Sequence, residues 1–260
     1  MEETVGRSLA TGNTAEIFEW GSRVVKLYKA PTAKGAVFHE AAASAAVEAL
    51  GLPVPKIWGV REIDGRWGLV FDRVTGNSFA EQMLTKGNDF GPYLDGMVRL
   101  HIQVHAHRAI EFAGLKVALR ARIAASDLLD RADKQALLEA LADLPDGDRL
   151  CHGDFHPLNI LGDIVRPMII DWRDARRGNP AADVCRSYLL LKLHAPEIAT
   201  PYLDAYCRLG NVDRPAVLRW LPCVAAAKLA EGVPGERDGL VEIIASSFKS
   251  SAGSIATSRD

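Results

Sequence analysis

The sequence predicts an α+β protein in two parts, an antiparallel sheet that carries one helix and a mostly helical remainder. Short segments of apolar and polar residues, separated by tight turns, dominate the first 72 positions of the 260-residue chain, and such alternation is typical of half-buried strands. An alanine-rich stretch from about Ala33 to Leu50 lies among them and ends at Gly51, as helices commonly do. Beyond position 77 the helical period prevails.

Turn residues separate the candidate strands of the first part. Gly21-Ser22 predicts a hairpin turn, and Asp64-Gly65 predicts a second one. The predicted strands are a segment from Ser8 into the polar turn before Ala15, then Ala15–Trp20, Arg23–Tyr28, the extended segment Leu52–Val60, and Gly68–Asp72.

The remainder contains apolar patterns at helical spacing. Asn179 can cap a helix that starts with Pro180 at its first position. The other predicted helices are Phe79–Leu84, Pro92–His107, Leu115–Leu129, Asp133–Leu144, Glu197–Leu209, Pro215–Glu231 and Gly239–Phe248.

Composition limits the partners and the compartment. A formal charge of −2 gives no bulk field that would attract nucleic acid or an acidic membrane. Four cysteines without CxxC spacing are typical of a reduced, cytoplasmic protein. The N-terminus has no apolar signal region, and no run approaches the roughly 20 apolar residues that span a bilayer. We therefore expect a cytoplasmic protein with neither nucleic-acid nor membrane partner; composition does not indicate an oligomeric state.

The segment Leu150–Asp174 carries the strongest chemical signal. Asp154 is followed five positions later by Asn159, and Asp171 follows the apolar run Met168–Ile170, which predicts a short buried strand. A turn lies between, so we expect three oxygen donors to converge. Magnesium-assisted phosphoryl transfer requires one carboxylate that orients an attacking hydroxyl and two oxygen ligands for the metal.

This segment resembles the catalytic segment of the aminoglycoside phosphotransferase and choline kinase family, small-molecule relatives of the protein kinases. The matching pattern is His152-x-Asp154 with Asn159, then Asp171 in Ile-Ile-Asp-Trp, then Gly178-Asn179-Pro180-x-x-Asp183. The resemblance implies a bilobal protein-kinase-like fold with an N-terminal nucleotide-binding lobe over residues 1–73, a linker at 74–77 and a helical C-terminal catalytic and substrate lobe over 78–260.

The resemblance also implies the roles of the central residues. Asp154 would be the catalytic base, and Asn159 and Asp171 would bind Mg²⁺. The donor would be ATP, with GTP as the alternative, and the acceptor a small-molecule hydroxyl. His152 would be structural. Asp183 would hydrogen-bond the catalytic loop; from sequence alone, the alternative is a simple capping acid at a helix N-terminus.

Lys26 is either a solvated strand lysine or an inward-facing cation. The resemblance favours the second interpretation, because the family carries its phosphate-binding lysine on the third strand. A buried ammonium needs a counter-charge, and Glu40 on the Ala33–Leu50 helix is the candidate.

Two backbone segments are predicted to contact the nucleotide. The loop residues Thr11, Gly12, Asn13 and Thr14 could place N–H groups over phosphates, although a single glycine also fits an ordinary hairpin turn. Phe71–Gly76 resembles the family linker, so the main chain of Asp72 and Val74 would hold the adenine edge. The alternative is a plain strand that ends in a turn at Gly76. Both can hold, because main chain rather than side chains would recognise adenine.

Three alternatives remain open from the sequence. His101 and His105 have the i,i+4 spacing of a zinc pair, although core or surface histidines fit better. His152, Asp154, His156 and Asp171 could form a metal hydrolase site. The chain could also bind nucleotide without catalysing transfer.

Two features bear on the acceptor. Asp171-Trp172-Arg173 stands where protein kinases have Asp-Phe-Gly, and no segment suited to docking a protein follows, which favours a small acceptor. Between Arg173 and Glu242 there are nine Asp/Glu and ten Lys/Arg, so this region is not visibly acidic, which disfavours a polycationic aminoglycoside.

Overall fold

The computed structural model describes residues 4–87 and 89–255, with side chains up to residue 246. The chain forms two compact units. The first unit comprises Met1–Tyr93 and Pro157–Ala175, and the second comprises Leu94–His156 and Arg176–Asp260. The lobe boundaries around the 74–77 linker stay a prediction.

A five-stranded antiparallel sheet forms the body of the first unit. Its order is β1-β2-β3-β5-β4, which places β3 at the centre. Asp64 and Gly65 have φ of 49° and 73° in the β4–β5 turn, the positive values that a two-residue hairpin requires. The strands are β1 (Val5–Thr11), β2 (Ala15–Trp20), β3 (Arg23–Tyr28), β4 (Ile57–Ile63) and β5 (Arg66–Asp72). The predicted α+β class with an N-terminal antiparallel sheet is confirmed.

Helix α1 (Lys34–Ala49) packs on this sheet. Val37 of α1 joins Tyr28 and Leu69 of the sheet in one buried cluster. Helix α2 (Phe79–Lys86) begins with a capping box at Ser78, whose hydroxyl accepts from the backbone N–H of Glu81. The first turn of α3 (Gly91–Ala106) also belongs to this unit.

A short hairpin completes the first unit. β7 (Ile160–Gly162) pairs with β8 (Pro167–Ile169), and a 3₁₀ turn stands on either side, at Pro157–Asn159 and Trp172–Asp174. Asp163 Oδ1 accepts the backbone N–H groups of both Val165 and Arg166 at 2.8 Å, which closes the turn between the two strands.

Helices dominate the second unit. Asn179 caps α6 as predicted, because its side chain accepts from Ala181 N at 2.9 Å. α6 lies at the centre, with ten buried residues. The elements are the rest of α3, α4 (Leu115–Ala125), α5 (Arg131–Asp143), β6 (Arg149–Cys151) paired with β9 (Arg176–Gly178), α6 (Pro180–His194), α7 (Pro196–Gly210), α8 (Arg214–Leu218), α9 (Leu221–Leu229) and α10 (Arg237–Ile255).

The single helix predicted over Pro215–Glu231 is wrong. The chain breaks there into α8 and α9, with Arg219 and Trp220 between them. Pro222 explains the break, because it lacks an N–H and its ring would collide with the carbonyl four residues earlier in a continuous helix. In the observed arrangement it lies in the first turn of α9, where proline is tolerated.

The remaining expectations concern the whole chain. Across residues 4–87 and 89–255 we find no helix with the length and apolar character needed to cross a membrane. All four cysteines are free thiols, and Cys151, Cys185 and Cys223 are buried.

Candidate active site

The Lys26 ammonium is held between two carboxylates of the first unit. Lys26 lies on β3, opposite Ile17 of β2 and Leu69 of β5. Its Nζ donates to Glu40 Oε1 at 2.8 Å and to Asp171 Oδ1 at 3.0 Å. Burial opposes the charge of Lys26, but the charges of Asp171 and Glu40 outweigh burial and raise the pKa of Lys26. The expected ion pair between Lys26 and Glu40 is present.

Glu40 is almost completely buried, with 1% of its surface exposed. It lies on the face of α1 that also buries Val37, Ser44 and Val47, at the three- and four-residue spacing of one helical face. Its Oε2 accepts the hydroxyl proton of Tyr28. Burial and the Glu40 charge raise the pKa of Tyr28, so this hydroxyl stays a donor. Both carboxylate oxygens therefore have partners, as a buried charge requires.

The β7–β8 hairpin brings the backbone of Asn159 next to that of Asp171. Ile170 N–H donates to the Asn159 carbonyl at 2.9 Å, so Asn159 lies opposite the residue that precedes Asp171. Asp171 has a left-handed backbone with φ of 64°, which costs a non-glycine residue on the order of 1–2 kcal/mol. The strained backbone therefore belongs to Asp171, the residue that the sequence predicts to bind the metal.

The donor atoms of Asn159 and Asp171 suit magnesium. Mg²⁺ prefers oxygen ligands, and these residues supply an amide oxygen and a carboxylate. Asp171 Oδ1 accepts from Lys26, whereas within the described part of the chain its Oδ2 has no protein donor and can meet a cation. Asn159 is 8% exposed, so its amide does not simply face bulk water.

The loop between β1 and β2 is closed from within. Gly12 N–H donates to the Ala15 carbonyl at 2.9 Å, and Lys29 Nζ donates to the Gly12 carbonyl at 2.7 Å. Of the predicted phosphate-facing residues, Gly12 therefore already uses its N–H in the turn. Exposed Asn13 and Thr14 carry the loop N–H groups best placed to meet an anion.

Arg173 connects this loop to the segment after Asp171. Its Nη1 donates to Thr14 Oγ1 at 3.3 Å, and its Nη2 lies 3.6 Å from Asp174 Oδ2. Burial would lower the pKa of Arg173, but the charges of Asp174 and Asp171 raise it. The side chain at the position of the protein-kinase glycine thus ties the predicted phosphate loop to the segment that follows the predicted metal ligand Asp171.

The predicted linker residues lie at the end of the sheet. Asp72 is the last residue of β5; its N–H donates to the Lys56 carbonyl at 2.9 Å, and its Oδ1 accepts from Trp58 Nε1 at 2.7 Å. Val74 follows in an irregular, half-buried stretch. Their main-chain contacts to adenine stay a prediction.

Asp183 fixes the loop of the second unit that carries Asp154. Its Oδ2 accepts His152 N–H at 2.6 Å and its Oδ1 accepts Gly153 N–H at 2.8 Å. These are the two residues before Asp154, so the loop backbone is fixed where the predicted base begins. The predicted contact between Asp183 and the catalytic loop is confirmed.

Two histidines of α3 complete the shell around Asp183. His101 Nε2 and His105 Nε2 lie 3.0 and 3.1 Å from Asp183 Oδ2. Because the ionised carboxylate only accepts, each Nε2 carries the proton and donates. Burial, together with the charge of His105, lowers the pKa of His101 to about 3, so its Nδ1 accepts from the Tyr202 hydroxyl at 2.6 Å. The His101 ring also stacks on Phe155, with centroids 4.1 Å apart.

These contacts favour core histidines over a zinc pair. The ligand atoms of His101, His105 and Asp183 do lie within 4.8 Å of one another, so a third ligand exists that the sequence did not reveal. The separations are hydrogen-bond lengths, however, and a zinc ion at about 2.0 Å from each nitrogen would remove both hydrogen bonds. His105 Nδ1 also lies 2.6 Å from the Tyr206 hydroxyl, so both nitrogens of each ring are in use.

Asp154 lies between two basic side chains of the second unit. His156 Nε2 is 3.4 Å from its Oδ2, and Arg186 Nη2 is 3.9 Å from its Oδ1. Burial alone would raise the pKa of Asp154, but the hydrogen bond and charge of His156, followed by the charges of Arg186 and His152, lower it well below the usual range. Asp154 is therefore a permanent anion at neutral pH and a weak base.

Arg186 belongs to a larger ionic cluster. Its Nη2 lies 2.9 and 3.1 Å from the two oxygens of Glu231. Glu231 also accepts from Arg122 at 3.0 Å and from Lys228 at 2.9 Å. Lys228 Nζ lies in turn 2.8 Å from Glu236 Oε2. No sequence pattern indicated this cluster, because its members are spread over more than a hundred positions.

The metal hydrolase alternative is not supported within the second unit. His152 Nδ1 accepts the backbone N–H of Asp154 at 3.2 Å and so is not open to a metal. Among the described residues, the His, Cys, Asp and Glu atoms close enough to share an ion are those of His101, His105 and Asp183. His152, Asp154 and His156 do not gather in this way.

Comparison with solved structures identifies the fold as that of the protein-kinase-like phosphotransferases. A thermostable mutant of aminoglycoside phosphotransferase APH(4)-Ia is 17% identical, with a TM-score of 0.63 over 93% of this chain and 91% of that one. A choline/ethanolamine kinase family protein from Mesorhizobium loti is 18% identical, with a TM-score of 0.62 over 97% and 89%. The streptomycin–ATP complex of APH(2″)-IIa is 16% identical, with a TM-score of 0.60 over 93% and 90%.

Sequence comparison then gives the family. The model of the phosphotransferase enzyme family (APH) matches residues 15–221, and the chain belongs to this family. No curated protein matches the chain. The resemblance seen around Asp154 is thereby confirmed.

Proposed function

We propose that the protein transfers the γ-phosphoryl group of ATP, with GTP as the alternative donor, to a hydroxyl of a small molecule in a magnesium-dependent reaction. The observation that carries the proposal is the double contact of Lys26 to Glu40 and Asp171. Kinase-fold enzymes need a lysine, paired to a helix glutamate, to hold nucleotide phosphates close to the metal ligands.

The first unit holds the nucleotide in this proposal. Lys26 and the loop N–H groups meet the phosphates, and the main chain of Asp72 and Val74 meets the adenine edge. Asn159 and Asp171 hold magnesium, which supplies charge neutralisation at the phosphate oxygens.

The second unit holds the acceptor hydroxyl. Asp154 accepts a hydrogen bond from this hydroxyl and aims its oxygen at the γ-phosphorus. A new O–P bond forms while the bond from the γ-phosphorus to the bridging oxygen breaks, the nucleoside diphosphate leaves, and the hydroxyl proton passes through Asp154 to solvent. A weak base suits this reaction, because the transition state is loose and positioning matters more than basicity.

Phosphorus NMR of the protein with ATP or GTP, magnesium and a panel of hydroxyl compounds tests the proposal. Stoichiometric formation of an acceptor phosphomonoester is expected. Lys26→Met should abolish it, and Lys34→Met, which changes an exposed lysine at the start of α1, should not. Nucleotide binding without transfer to any acceptor would instead favour a catalytically silent nucleotide-binding protein.

A further inference from the structure

The carboxylates around Arg186 are already paired. Glu231 accepts from Arg122, Arg186 and Lys228, and Glu236 lies against Lys228 and His194, the latter at 2.7 Å. An ammonium group on an acceptor would have to displace one of these cations to find a counter-charge in this cluster. The cluster is therefore poorly suited to a cationic acceptor.

The same cluster places the guanidinium of Arg186 beside Asp154. With Asp154 included, three cationic side chains, those of Arg122, Arg186 and Lys228, face three carboxylates, those of Asp154, Glu231 and Glu236. Glu231 has Arg122 and Lys228 as counter-charges besides Arg186, so an anion bound to Arg186 would not leave Glu231 unpaired. Its Nη2 lies 3.9 Å from Asp154 Oδ1, too far for a hydrogen bond but within reach of a substituent next to a hydroxyl held by Asp154.

Arg186 also keeps donors for a ligand. Its side chain is 11% exposed, and only Nη2 donates to a protein group among the described residues. A guanidinium has five N–H donors, so those of Nε and Nη1 remain. A planar pair of N–H groups matches a carboxylate or phosphate with two parallel hydrogen bonds.

We infer that the acceptor is a hydroxyl compound bearing an anionic group, a carboxylate or a phosphate, and that Arg186 binds this group while Asp154 holds the hydroxyl. This inference rests on the proposed phosphotransferase function and specifies its acceptor class. Arg186 is then a specificity-determining residue, in addition to its effect on the charge of Asp154.

Acceptors with one carbon skeleton test the inference. A hydroxy acid, its uncharged amide and the corresponding amino alcohol are compared by kcat/KM with ATP and magnesium. The wild type should prefer the acid over the amide by about 10- to 100-fold, the range for charge-assisted hydrogen bonds. Arg186→Gln should remove most of this preference. Arg214→Gln, which changes an exposed arginine paired with Asp204, should keep it.

The ratio of kcat/KM for the hydroxy acid to kcat/KM for its amide distinguishes a specificity role of Arg186 from a positioning role. If Arg186 only positioned Asp154, Arg186→Gln would slow both acceptors equally and leave the ratio unchanged, which would overturn the inference. A wild-type preference for the amino alcohol would overturn it as well.

A binding measurement keeps the inference distinct from the proposed function. If none of the three compounds is phosphorylated, calorimetric titration of the hydroxy acid still compares wild type with Arg186→Gln. If Arg186→Gln binds the hydroxy acid about tenfold or more weakly than the wild type, and both bind the amide equally, the anion site is supported even though the phosphotransferase proposal fails. Equal or undetectable binding of acid and amide would overturn the inference.

Discussion

Lys26 Nζ and Asp171 Oδ1 lie 3.0 Å apart, so the cation proposed to hold phosphate is bonded to the carboxylate proposed to hold metal. Glu40 holds the same ammonium from a buried position at 2.8 Å. A metal ion on Oδ2 of Asp171 would share the negative charge that now pairs with Lys26, so more of the positive charge of Lys26 would act on the phosphates. Metal and nucleotide should therefore bind cooperatively.

Removing the Asp171 carboxylate should abolish this coupling. Asp171→Ala deletes a proposed metal ligand but leaves the buried Lys26–Glu40 pair in place. ATP affinity should then no longer increase when magnesium is added. Titration of ATP with and without magnesium, in both proteins, measures the effect. A magnesium response of wild-type size in the variant would show that Asp171 is not a ligand that matters.

Glu40→Gln should destabilise the first unit. The substitution leaves Lys26 buried with one carboxylate and removes the charged acceptor of Tyr28, so the free energy of unfolding should fall by roughly 2–3 kcal/mol. Urea unfolding followed by circular dichroism measures it. Glu48→Gln on the same helix is the control, because Glu48 accepts a single backbone N–H, from Ile57 at 3.0 Å. Equal losses of unfolding free energy in the two variants would show that the buried contacts of Glu40 do not stabilise the first unit more than the single contact of Glu48 does.

Acidification should weaken the second unit through His101. Its pKa is lowered to about 3 in the folded protein, against about 6.5 in an unfolded chain. Between these values the unfolded state binds one proton more, so the free energy of unfolding falls as pH is lowered, by up to about 1.4 kcal/mol per pH unit. The pKa of Asp183 is also lowered, which adds a loss only below its ordinary value of 3.8.

His101→Gln separates this effect from other titrations. The amide keeps a donor toward Asp183 but cannot take up a proton, so the slope of stability between about pH 6.5 and 4 should flatten. His39→Gln, on the exposed face of α1, is the control and should retain the wild-type slope. An unchanged slope in His101→Gln would assign the acid sensitivity to another group.

The fold was predictable where local chemistry decides it. The β4–β5 turn at Asp64-Gly65 and the Asn179 cap follow from backbone preferences that act over a few residues, and both predictions are confirmed. The break between α8 and α9 also has a local cause, Pro222. The apolar pattern continues on both sides of this residue and favoured a single helix.

The site was predictable only in part, because several of its contacts join distant positions. Lys26 and Glu40 could be paired by chemistry, since a buried lysine needs an acid and few were available. The buried face of α1 could not be chosen, because its alanines have no clear periodicity. The contacts of Asp183 to His101 and His105 span about 80 positions, so no local sequence pattern predicts them.

Asp154→Asn tests the proposed mechanism most directly. The amide keeps the size and polarity of the side chain but removes the charge that lies between His156 and Arg186 and that orients the acceptor hydroxyl. Phosphoryl transfer should fall by roughly 10²–10⁴, the range for a positioned acid–base group. Nucleotide affinity should change little, because the groups proposed to bind nucleotide all belong to the first unit. Single-turnover transfer and equilibrium ATP titration measure the two quantities separately.

The pH profile of transfer adds a second criterion. Because the pKa of Asp154 is held below its ordinary value of 3.8, the carboxylate stays ionised throughout the neutral range, and no acidic limb of the wild-type profile above about pH 5 should belong to it. Asp154→Asn should therefore lower the rate by the same factor between pH 6 and 8. Loss of binding together with transfer would make Asp154 structural or a metal ligand. Unchanged transfer would show that the phosphotransferase mechanism does not use Asp154, whatever the fold.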